Sequence, residues 1–109
     1  MKKILITGAY GFIGRNLSSS LAKEGNSIAG IGRGDWRHEK PGDWGISEWL
    51  TGDIDSDNLN VLLGGWGVPD IVYHCAGSSS VAASLSNPQK ALRDTVVSTS
   101  VLLEWISSN

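Results

Sequence analysis

One cysteine, three prolines and no long apolar run set the first limits on this 109-residue chain. A lone thiol, Cys75, excludes an internal disulfide and fits a reducing cytoplasm. No stretch approaches the roughly 20 apolar residues that a membrane span needs. Residues 1–8 are basic and then apolar, but the apolar part is too short for a secretion signal and reads as a first strand. An excess of one charge is lacking too, with a formal net charge of −2. Nothing in that balance calls for a nucleic acid or an anionic membrane as partner. No metal-ligand set is expected either. The length leaves room for one domain and one core. What is plentiful is glycine, with 14 residues, and tryptophan, with five.

The run Lys3-Ile4-Leu5-Ile6-Thr7 is apolar without polar alternation, as a strand covered on both faces should be. Over residues 12–24, Ile13, Leu17 and Leu21 recur every fourth position and predict the buried face of a helix, stopped by Gly25. A second apolar run falls in residues 27–32, and residues 34–45 hold three glycines and a proline and read as a loop. Residues 46–51 read as a third strand. Asp55 or Ser56 should cap a short helix that reaches Leu63 and closes at Gly64-Gly65. Ile71-Val72-Tyr73-His74-Cys75 is a fourth strand. Asn87-Pro88 opens a last helix, whose Leu92, Val96, Thr99, Leu103 and Ile106 predict a single burial face. Strands alternating with helices, themselves lacking polar alternation, predict an α/β fold: a parallel sheet covered by helices.

Gly8, Gly11 and Gly14 stand three apart in the first strand-to-helix turn. Gly8 allows the tight turn, Gly11 lets a pyrophosphate approach the backbone, and Gly14 lets the helix pack closely. The free amides and partial positive charge of the helix start then favour phosphate, by about 0.3–2 kcal/mol for the dipole alone. Three such glycines by themselves fit an empty turn equally well. Their place in an alternating β-α pattern favours a ligand.

The segment Thr7-Gly8-Ala9-Tyr10-Gly11-Phe12-Ile13-Gly14 resembles the glycine fingerprint of extended short-chain dehydrogenases/reductases of the sugar-nucleotide epimerase/dehydratase type. Gly52-Asp53-Ile54 is similar to the family's Gly-Asp-hydrophobic motif. Residues 69–77 resemble its fourth strand, and residues 80–104 the loop and helix after it. The resemblance spans nearly the whole chain. It implies a doubly wound Rossmann sheet in the order 3-2-1-4, with residues 1–109 as one NAD(P)-binding domain. It also implies that Gly8, Tyr10, Gly11, Phe12, Ile13, Gly14, Arg33, Asp53, Ile54, Ala76, Gly77 and Ser78 bind the cofactor. Thr95 stands where the family often has Asn, and Gly77 where it often has Ala.

NAD-specific members of such folds carry an acid at the end of the second strand. Here that position is Gly32, with Arg33 next, a residue suited to a 2′-phosphate. NADP is therefore the expected cofactor, with Arg37 as a possible second cation. NAD remains the alternative, with Asp35 in the acid's role or Arg33 merely solvated. His74 is expected to pack or to satisfy a backbone group, and Cys75 to be a small buried hydrophobe. Trp49 and Trp105 should be core, and Trp36, Trp44 and Trp66 loop-packing. Asp55 and Asp57 look like paired carboxylates but fall where helix starts favour acids. Ser78, Ser79 and Ser80 come after the fourth strand, where either a ligand contact or a plain loop would fit.

The family resemblance implies a Tyr-x-x-x-Lys acid/base pair, yet four residues after Tyr10 and Tyr73 stand Gly14 and Gly77. No catalytic residue is expected in this chain. It reads as the amino-terminal part of an epimerase, dehydratase or reductase acting on a nucleotide-sugar, cut before its catalytic residues. A non-catalytic NADP-sensing protein on the same fold is the alternative, and an interaction module with an empty turn a third reading. Strand four would be an uncovered apolar edge, which predicts a homo-oligomer through that edge or the last helix.

Overall fold

The computed structural model describes residues 1–76 and 85–109. Four strands, β1 (Lys3–Thr7), β2 (Ser27–Gly32), β3 (Ile46–Thr51) and β4 (Ile71–His74), form one sheet in the order β3-β2-β1-β4. All pairings are parallel, with Leu5 flanked by Ala29 on one side and Val72 on the other. The helices are α1 (Phe12–Lys23), α2 (Ser56–Leu63), α3 (Pro88–Leu92) and α4 (Ser98–Ser108).

Alternate residues of the central strands serve two cores, one on each face. Leu5, Ala29 and Ile31 pack with Leu59, Leu62 and Leu63 of α2 and with Leu102 and Trp105 of α4. Ile4, Ile6 and Ile28 pack on the other side with Leu17 and Leu21 of α1. This double coverage is why β1 and β2 lack polar alternation. Ile4, Leu5, Ile6, Ile28, Ile31 and Leu59 are fully buried. Each contributes about 1.5–3 kcal/mol through the apolar surface it removes from water.

The helix boundaries reflect the local chemistry. The carboxylate of Asp55 caps α2 by accepting the Asn58 amide at 2.8 Å, and the side chain of Asn87 caps α3 by accepting the Lys90 amide at 3.2 Å. Pro88 occupies the first turn of α3, where it has no hydrogen bond to lose. Gly25, with a φ of +91°, ends α1 as expected.

Several expectations need correction. Ile13 does not lie on the buried face of α1 but is 70% exposed, because the contacting face runs through Gly14 and Ser18. The short helix α2 does end at Leu63 with Gly64 as its cap, as expected, and a left-handed glycine follows at Gly67. A 3₁₀ turn, Pro41–Trp44, interrupts the expected loop. Trp105 is core, whereas Trp49 is half-buried against the core. The largest correction concerns the last helix. A π turn, Arg93–Val97, separates α3 from α4. The extra residue in that turn rotates α4 relative to α3 by about 100°. Leu102 and Trp105 face the sheet, while Leu92, Val96, Leu103 and Ile106 are exposed and Thr99 is half-buried, so the burial face lies one position away from the expected stripe.

Candidate dinucleotide-binding cleft

The carboxyl ends of all four strands open into one cleft of about 640 Å³. It lies beside the junction of β1 and β4, where the strand order reverses, the usual ligand crevice of an open parallel sheet. The turn from β1 to α1 forms its floor. Gly8 has a φ of +67°, and a Cβ there would lie 2.7 Å from the Ala76 nitrogen. A Cβ on Gly14 would lie 2.7 Å from the Ala9 Cα and would overlap the Gly8 carbonyl. Gly14 therefore seats α1 on the turn itself, not on the strand. Around Gly11 the space is open apart from the Gly8 oxygen at 3.3 Å.

The start of α1 is electrostatically bare. Gly11 supplies no capping side chain, and the first turn contains no acid. Its leading amides have no carbonyl partner within the helix, and the helix dipole places partial positive charge beside them. That arrangement suits a diphosphate.

Gly8, Tyr10, Gly11, Phe12, Ile13 and Gly14 line the cleft together, joined by Arg33 from just after β2, Asp53 and Ile54 from after β3, and Ala76 from after β4. Gly77 and Ser78 lie outside the described residues, as do Ser79 and Ser80. Gly32, Gly34, Gly52, Cys75 and Ser98 also line the cleft. The first four could have been found by taking the residues at and just beyond each strand's carboxyl end. Ser98 carries no such signal, since the π turn delivers it.

Arg33 and Asp53, separate expectations in the sequence, form an ion pair, with the guanidinium Nε 2.7 Å from a carboxylate oxygen. Both side chains are more than half exposed, so the pair adds little stability; it orients two groups at the cleft mouth. Arg37 pairs with Asp35 at 3.3 Å, and neither is among the residues that line the cleft.

An aromatic cage braces the turn from behind. The Arg15 guanidinium lies 4.7 Å from the Tyr10 ring centre, 5.1 Å from Trp36 and 5.0 Å from Trp44. Arg15 also donates to the Tyr10 carbonyl at 2.8 Å and pairs with Glu39 at 3.0 Å. Trp36 and Trp44 thus pack around Arg15, and Trp66 donates its indole N–H to Ser27 at 2.9 Å.

His74 joins the floor to the last helix. Thr99 donates its hydroxyl to the Thr95 carbonyl at 2.5 Å, so its oxygen accepts from His74 Nε2 at 2.8 Å. His74 Nδ1 then accepts from the Thr7 hydroxyl at 2.6 Å, and Thr7 accepts the Ala76 amide at 3.2 Å. The ring is satisfied by side-chain hydroxyls, where packing or a backbone partner was expected. Desolvation holds its pKa below the usual histidine value, so it is neutral. Thr95 enters this network through its carbonyl and does not line the cleft.

Cys75 is not buried, contrary to expectation, because β4 ends at His74 and leaves it exposed on the cleft wall. Partial desolvation raises its pKa, which keeps it protonated and a poor nucleophile. Asp55 acts as a helix cap, and Asp57 lies in the first turn of α2. Among the described residues, no helix is long and apolar enough to cross a membrane.

A glycine-lined cleft against a helix start, at the reversal point of a 3-2-1-4 parallel sheet, defines a Rossmann-type nucleotide-binding fold. Residues 4–109 match the NAD dependent epimerase/dehydratase family, and the chain belongs to it. It is 32% identical to a CDP-paratose 2-epimerase of Salmonella typhi over 95% of its own length and 32% of the relative's. A UDP-glucose 4-epimerase of Mycolicibacterium smegmatis is 31% identical over 94% of this chain and 34% of that protein. The structure of a UDP-glucose 4-epimerase from Brucella ovis in complex with NAD superposes with a TM-score of 0.78 at 28% identity. That match covers 96% of this chain and 32% of the other. The chain thus spans about a third of the length of these relatives.

Proposed function

We propose that residues 1–109 form the NAD(P)-binding domain of a nucleotide-sugar epimerase, dehydratase or reductase, with NADP as the preferred cofactor and NAD as the alternative. The observation that carries this reading is the bare turn at Gly8, Gly11 and Gly14, facing a cleft that all four strands help to line. The leading amides of α1 hold the diphosphate. Gly14 sets their distance from β1, and Arg15 with its aromatic cage keeps Tyr10 against the wall. Ile54 offers an apolar surface to the adenine, with Asp53 beside it. The bound nicotinamide would supply the hydride chemistry. Neither tyrosine of this chain has a lysine four positions on, so these residues bind and orient.

The cofactor preference rests on Gly32 and Arg33. No acid stands at Gly32 to repel a 2′-phosphate, and Arg33 is exposed at the cleft mouth. The UDP-glucose 4-epimerase from Brucella ovis was solved with NAD, which keeps that alternative concrete. Calorimetric titration with NADPH and NADH tests the reading: both should bind, NADPH more tightly. No heat from either nucleotide would overturn it. The lone cysteine fits a cytoplasmic setting, and the open edge of β4 together with the outward apolar residues of α3 and α4 fits a homo-oligomer.

A further inference from the structure

We propose that Arg15 is a positioning residue for the diphosphate: it holds the Tyr10 carbonyl turned away from the cleft and so keeps a negative dipole out of the anion site. This rests on the dinucleotide reading above and gives that site a residue that acts without lining it. The peptide between Tyr10 and Gly11 is gripped at both ends. Its N–H, on Gly11, donates to the Gly8 carbonyl at 3.1 Å, and its carbonyl, on Tyr10, accepts from Arg15 Nε at 2.8 Å. Tyr10 and Gly11 line the cleft, whereas Arg15 and the Trp36 and Trp44 rings around it do not. The carbonyl is therefore aimed at a cation behind the turn, away from the space where the phosphates rest.

The grip matters because the residue that follows is a glycine. Gly11 tolerates either sign of φ, so its present φ of −64° is not the only one open to it. Rotating this peptide would point the negative end of a dipole of about 3.5 D at the phosphates. It would also withdraw the Gly11 amide from Gly8. Without Arg15, the 3.1 Å bond from Gly11 to Gly8 is what remains to oppose that motion. Position, and not charge, is what Arg15 supplies. Glu39 pairs with it at 3.0 Å, so the two charges largely cancel as felt from the cleft. One planar group serves several partners at once: Nε serves Tyr10, Nη1 serves Glu39, and the rings of Tyr10, Trp36 and Trp44 all have centres within 5.1 Å of the guanidinium carbon. A lysine ammonium carries the same charge but lacks that planar fork.

The test titrates the full chain and its variants Arg15→Lys, Glu39→Gln and Leu21→Val with NADPH and with NADH, well below their melting temperatures. Arg15→Lys should weaken both nucleotides by about tenfold, because the diphosphate is what they share. The ratio of NADPH to NADH affinity should stay within about twofold of its original value. Leu21→Val thins the core beneath α1, away from the turn. It should lower the melting temperature yet leave both affinities unchanged, which separates a placed peptide from a weaker fold. Glu39→Gln unmasks the Arg15 charge without freeing the peptide, so it should not tighten binding. Glu39 is exposed, so this variant keeps the test open should Arg15→Lys fold poorly. If the unaltered chain binds neither nucleotide, the dinucleotide reading fails and this inference with it. If the unaltered chain binds and Arg15→Lys binds equally well, or Glu39→Gln binds more tightly and with a steeper salt dependence, charge is what Arg15 contributes and the inference alone is overturned. A loss confined to NADPH, or an equal loss in Leu21→Val, overturns it as well.

Discussion

Two alanine substitutions in the same turn should fail in opposite ways. At Gly14, the added Cβ would lie 2.7 Å from the Ala9 Cα and 2.9 Å from the Gly8 carbonyl carbon, all backbone that no side-chain rotation can relieve. The start of α1 must then lift off the turn, an overpacking cost of about 1–3 kcal/mol. The better helix propensity of alanine offsets at most about 1 kcal/mol of that. A net loss of about 1–2 kcal/mol lowers the melting temperature of a domain this size by roughly 4–16 °C. At Gly11 the backbone has φ −64° and ψ 168°, which any residue adopts, and the Cβ would meet only the Gly8 oxygen at 3.3 Å. Gly11→Ala should therefore cost less than about 0.5 kcal/mol of stability. Its methyl nevertheless enters the wall against which the diphosphate rests. Losing one charge-assisted amide contact costs about 1.5–3 kcal/mol, a tenfold or greater fall in NADPH affinity. Scanning calorimetry without ligand gives the first quantity and titration with NADPH the second. A Gly11→Ala variant that binds as well as the unaltered chain, or a Gly14→Ala variant that melts at the same temperature, would refute the reasoning.

The protonation of His74 supplies a second expectation. Desolvation lowers its folded-state pKa, so as pH falls the unfolded chain takes up this proton first. The stability it contributes is fully present above the unfolded value of about 6.5 and is lost as pH falls through that value towards the folded one. Urea denaturation at a series of pH values should show this slope, and His74→Gln should flatten it; an unchanged slope would separate His74 from the acid sensitivity. The open β4 edge and outward Leu92, Val96, Leu103 and Ile106 lead us to expect self-association of this chain. Light scattering that shows only monomer at high concentration would count against it.

The central strands were legible because burial on both faces leaves a plain signature, an unbroken apolar run. Asp55 and Asn87 were legible as caps because a side-chain acceptor before a helix satisfies amides that nothing else can. Periodicity failed where its premise failed. The spacing of Leu92, Val96, Thr99, Leu103 and Ile106 assumes that the apolar stripe is the buried one, but Leu92, Val96, Leu103 and Ile106 face outward before, within and after the π turn, and Leu102 and Trp105, one position away, meet the sheet. Ile13 failed for a different reason: a residue at the helix start can face the cleft, so its apolarity does not imply core. The pairing of Arg33 with Asp53 was invisible because each belongs to a different strand end, and only sheet formation brings them within reach. The exposure of Cys75 turns on one boundary, the end of β4 at His74, which an apolar run does not mark.

The aromatic wall has an optical consequence. Trp36 meets Tyr10 edge-on with ring centres 4.9 Å apart and Trp49 at 5.3 Å, so two indoles are coupled to a residue that lines the cleft. Trp105 lies in the core on the opposite face of the sheet, with Trp66 half-buried against that core. The chain therefore carries emitters on both sides of one thin layer, one group close to whatever enters the cleft and the other screened from it by four strands.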